Sequence, residues 1–173
     1  MQDKNKKTVK IESLVKSNNT WANILFWTFQ AIVALTIAAV LVAMVAGNEG
    51  SQQLTNVATI LLLVLGIVEI VYLVGFIIGT IFYCINLGCL RKEGASHAGR
   101  NVLGGNIVVC LIYIGVSIAS IVLGFVLKGQ QLTGAPGYTY LAFEIVALFI
   151  PLISFILVKS SKRLILYVTH YAK

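Results

Sequence analysis

The sequence predicts an all-α, polytopic membrane protein: a bundle of four transmembrane helices with short loops and both termini in the cytoplasm. Three observations predict it. Four apolar stretches, each about 20 residues or longer, match the length a helix needs to cross the hydrocarbon core. The chain is 58% hydrophobic and 11% charged, against about 45–50% and about 25% in soluble domains. Of its 13 Lys and Arg residues, all but Lys128 fall on one alternating set of the segments around the stretches. That bias places residues 1–20, the 91–101 loop and residues 159–173 inside.

Residues 1–20 form a basic tail, with Lys4, Lys6, Lys7, Lys10 and Lys16 opposed by Asp3 and Glu12. A disordered tail is the simpler expectation; a short amphipathic surface helix over Val9–Val15 is the alternative. The first span is expected over 21–46, with Trp21 and Trp27 suited to the interfacial belt. It is too long for a cleavable signal core and reads as a signal anchor. No lipid-anchor motif is expected either. A polar loop without Lys or Arg follows at Gly47–Gln53. The second span is expected over 55–83, with apolar character continuing to Leu90 and implying tilt or an extension. The loop Arg91–Asn101 carries Gly94 and Gly99, read as loosening residues. The third span covers 103–127 and the glycine-rich loop Lys128–Gly137 follows it. The fourth span covers 138–158, with Pro151 expected to kink it. Residues 159–173 either extend that helix or lie along the membrane surface.

The net charge of +7 does not point to nucleic acid, because the cations sit at span ends, where they set orientation and meet anionic lipid. Cys84, Cys89 and Cys110 lie in or beside spans, so no disulfide is expected. No metal ligands accompany them at useful spacing, and no cofactor is expected.

The polar residues inside the spans are the informative ones. On the third span Asn106, Cys110, Tyr113, Ser117, Ser120 and Gly124 recur at steps of three and four, within roughly 40° of one helical line. The rest of that helix surface is Ile, Val and Leu, so the stripe is expected to face the bundle. Glu69 lies near the middle of the second span and Glu144 about two turns inside the outer end of the fourth. A carboxylate at bilayer depth costs about 2.5–3.5 kcal/mol on insertion scales, which makes each a functional candidate. Both are expected to turn toward the third helix and to couple to protons or cations if transport occurs. Asn23, Trp27, Gln30 and Ala34 share a line on the first span, beside Ala31 and Ala38. Gly75-x-x-x-Gly79 has the spacing that lets helices approach closely. It lies about 120° around the helix from Glu69, so the two cannot face the same neighbour.

No catalytic set emerges. Arg91, Lys92 and Arg100 are candidates for a lipid headgroup, and His97 beside them is a weak candidate acid or base. The sequence therefore reads as a non-enzymatic component of the plasma membrane: a subunit, scaffold or immunity-type protein. Its partners are the bilayer and another membrane protein or further copies of itself. The alternative is a small oligomeric transporter or channel using Glu69 and Glu144. A lipid-modifying enzyme ranks below both.

Overall fold

A computed structural model describes the backbone of residues 2–126 and 134–171. It describes the side chains of these residues except 2–4, 49, 62, 124–126, 134–141, 143, 144 and 171. Four helices make up the described chain: α1 (Gln2–Glu49), α2 (Gln52–Lys92), α3 (His97–Val126) and α4 (Gly134–Tyr171). All four are long and apolar enough to cross a membrane, with mean hydropathies of 2.5, 2.8, 2.5 and 1.9 over their most apolar windows. The distribution of side chains is that of a lipid-bathed bundle. Fewer than a third of the residues in each window are buried. The outer faces carry large apolar residues such as Ile60, Leu63, Val71 and Leu111, while Asn18, Thr80, Asn86, Asn106, Ser120, Ser154 and Ser161 are buried. A helix is the form that satisfies every backbone group without help from the solvent, so unbroken helices are what lipid demands.

The helices outrun the expected spans. Residues 2–20 are neither a disordered tail nor a separate surface helix. They are the opening turns of α1, whose 48 residues give a rod of about 72 Å. Ile11 and Val15 are buried in the core, so these turns are packed as well as helical. The loop expected over 47–53 contracts to Gly50 and Ser51. Gly50 takes φ +64° and Ser51 caps α2, its hydroxyl accepting from the Leu54 amide at 3.5 Å. The loop expected over 91–101 contracts to 93–96. There Gly94, at φ +72°, closes α2: its amide donates to Arg91 O and that of Ala95 to Leu90 O. This is the paired pattern that a glycine at the left-handed position permits. Part of the expected 128–137 loop lies outside the described residues. Of the remainder, 134–137 already belongs to α4. Residues 159–171 continue α4, and Pro151 sits within it without interrupting it.

Each helix packs against its chain neighbours, and α4 closes the ring on α1, with no diagonal packing among the described residues. The pairings are unequal: α1 with α2 and α3 with α4 are the close ones, α2 with α3 and α1 with α4 the looser ones. The bundle is thus two antiparallel hairpins. The termini and the 93–96 turn share one end, here called the basic pole because Arg91, Lys92, Lys159, Lys162 and Arg163 gather there.

Within the first hairpin, Gly75 and Gly79 face Leu25 of α1. A Cβ on Gly79 would meet Leu25 Cδ1 at 3.0 Å, and one on Gly75 would meet Leu25 Cδ2 at 4.0 Å. The second hairpin is tighter still, at a residue read from the sequence as loop. Gly99 lies in the first turn of α3, and a Cβ there would stand 2.3 Å from Ile165 Cγ1 and 3.1 Å from both Ile165 N and Ser161 O. Two helix backbones meet at that point, and the Ser161 hydroxyl donates to Gly99 O at 2.7 Å.

Candidate functional site: the polar interior and Glu69

The stripe on α3 points inward. Asn106 and Cys110 are fully buried, Tyr113 and Ser120 nearly so, and Ser117 is half-buried. The side of Gly124 lies outside the described residues. Cys110 meets Ser154 of α4 at 3.6 Å and reaches Thr80 of α2, whose own hydroxyl donates back to Phe76 O at 2.8 Å. One turn toward the basic pole, Tyr83 and Asn106 are both 0% exposed. Neither the Tyr83 hydroxyl nor either polar atom of the Asn106 amide has a protein hydrogen-bond partner. Nearer the basic pole, Asn86 Nδ2 donates to Asn18 Oδ1 at 2.6 Å.

On the other side of Cys110 an aromatic cluster joins the two hairpins. Phe76 lies 4.4 Å and Tyr72 6.1 Å from Tyr113, ring centre to ring centre, and Phe29 of α1 reaches Tyr72 at 6.1 Å. Beyond this floor Leu65 of α2 and Ser120 of α3 are still buried. Glu69 stands one turn from Tyr72, between the buried Leu65 and Tyr72 along the chain, yet it is exposed. The side chain of Glu144 lies outside the described residues. Asn23 and Phe26 engage α4, but Gln30, Ala31, Ala34 and Ala38 are exposed.

At the basic pole polar contacts tie all four helices. Lys159 Nζ donates to Asn23 Oδ1 at 2.9 Å and lies 5.0 Å from the centre of the Phe155 ring. Burial, and then the neighbouring Lys162 and Arg163, push its pKa down. Lys10 pairs with Glu93 at 2.5 Å. The hydrogen bond to Glu93 and its charge raise the Lys10 pKa. Glu12 meets His170 Nε2 at 3.2 Å. Arg91 and Lys92 are exposed and Arg100 is half-buried, so these three headgroup candidates do not form one pocket.

Sequence reasoning missed Asn18, Asn86, Thr80 and Ser154 as interior residues. Thr80, Tyr83 and Asn86 recur at steps of three on one face, a signal present in the sequence. Asn18 gave none, because it lies in what read as a tail. Among the described residues no His, Cys, Asp and Glu cluster suits a metal. Comparison with known proteins brings no relative: no protein-family model, no curated protein and no solved structure matches the chain.

Proposed function

We propose that this chain is a non-enzymatic component of the plasma membrane that docks against another membrane-embedded chain, with its basic pole in the cytoplasm. The exposure of Glu69 carries this reading. An acidic side chain at mid-span is rare and costly, about 2.5–3.5 kcal/mol on insertion scales, and an exposed one lies within reach of a neighbouring chain. A partner helix that covers it with polar groups offsets that cost. The exposed strip of Gln30, Ala31, Ala34 and Ala38 supports the same reading, since small residues on a membrane face allow close approach of a neighbouring helix. The partner is a different membrane protein or a second copy.

Native mass spectrometry after extraction in mild detergent tests the reading. The expected result is a defined complex that Glu69→Gln weakens and Ala34→Leu disrupts. A monomer in wild type, unaffected by either change, overturns it. The orientation is tested separately by a cysteine at position 52, which a membrane-impermeant label should reach only from outside.

A second reading, a small oligomeric transporter, is favoured by one specific observation: polar groups line the interior from Ser120 to Asn18. It requires that Glu69→Gln abolish proton- or cation-coupled flux while the oligomer stays intact.

A further inference from the structure

The buried amide of Asn106 is the most costly group in the described interior. Its side chain carries two N–H donors and an acceptor oxygen. It is 0% exposed, and neither its nitrogen nor its oxygen meets a protein partner. Tyr83, level with it on the facing helix, is also 0% exposed and its hydroxyl is likewise unpartnered. An amide or hydroxyl taken from water into an apolar setting without a hydrogen bond costs about 2–7 kcal/mol, depending on the reference medium. Two such groups at the same depth are hard to reconcile with a dry bundle core, where native proteins leave few polar groups unmet.

We propose that the interior of the bundle at Asn106 and Tyr83 is a binding site for water. The chemistry of the groups selects this ligand. The amide needs both a donor and an acceptor opposite it, the phenol needs an acceptor, and a water molecule supplies both roles at once. A bare cation fits poorly. The described groups around the site are an amide, a phenol, the Cys110 thiol and the Ser154 and Thr80 hydroxyls, all neutral, and a charge buried without a counter-charge is strongly disfavoured. Buried water typically makes about three hydrogen bonds, and the two polar atoms of the Asn106 amide and the Tyr83 hydroxyl supply that number of unmet groups from α3 and α2. The site thereby ties α2 to the second hairpin across one of the looser seams. This inference does not rest on the docking reading and survives its failure.

X-ray radiolytic hydroxyl footprinting of the full chain in lipid nanodiscs, in water enriched in oxygen-18, tests it. Radicals generated from a bound water label the side chains that touch it, even where bulk solvent has no access. Tyr83 is expected to be labelled several-fold faster than Phe76, an aromatic residue equally hidden at 1% exposure, and the label should carry oxygen-18. Asn106→Leu should bring Tyr83 down to the Phe76 rate. Equal labelling of Tyr83 and Phe76 in the wild-type chain overturns the proposal, and that comparison stands even if the Leu variant does not assemble.

Discussion

The basic pole and the opposite half of the bundle are made of similarly apolar helices, yet they are joined differently. At the basic pole Lys159 reaches Asn23, Lys10 reaches Glu93, Glu12 reaches His170, and Ser161 clasps the backbone of Gly99. Toward the other end, Glu69 and Gln30 stand exposed on faces that continue buried seams. The difference teaches that apolar content does not hold membrane helices together. Leu against lipid and Leu against Leu are nearly equivalent, so close backbone approach and polar contacts decide where helices adhere. Here the glycine contact with the least room and most of the interhelical hydrogen bonds lie in the same half.

The largest effect is expected where two backbones meet. Gly99→Val places a branched side chain into space already occupied by Ile165 and Ser161, and should cost about 3 kcal/mol, the upper range for overpacking. Gly75→Ala, facing only the far end of Leu25 at 4.0 Å, should stay within about 0.5 kcal/mol. Denaturation of the two variants in mixed detergent measures the contrast, and similar losses for both would show that the basic pole has no special grip.

A smaller effect is expected at the buried amide pair. Asn86→Leu leaves Asn18 without its 2.6 Å partner and should cost about 1–2 kcal/mol. Replacing both residues by Leu should recover most of that loss. A double-mutant cycle without coupling would mean that the pair contributes no cohesion.

The smallest effect is the alkaline response of the Lys10–Glu93 bridge. The Lys10 pKa is raised above its ordinary 10.5 by Glu93. Its contribution is therefore fully present below 10.5 and is lost as pH climbs through the higher folded value. Lys10→Gln should flatten that alkaline loss, and moderate salt should shrink it, since Lys10 is exposed. An unchanged alkaline profile in the variant would assign the loss to another group.

Much of this molecule was legible in the chain. Runs of Ile, Val and Leu long enough for a bilayer specify helices, because lipid leaves the backbone no other economical form. The three-and-four spacing from Asn106 to Ser120 showed which side of α3 turns inward, because periodicity is a property of one helix and needs no knowledge of its neighbours. The helix ends were less legible. Arg91, Lys92 and the turns of α1 before Trp21 are polar, and polar residues continue a helix as readily as they end one.

What the sequence by itself determined, then, is four membrane-length helices and the inward face of α3. Only the tertiary structure decided that Gly99 is a contact and not a hinge, that Asn18 meets Asn86 across 68 residues of chain, and that Glu69 is exposed. The physical reason is that burial depends on the distance to a second helix. That distance is set by where the smallest residues of both helices coincide, which neither helix specifies alone.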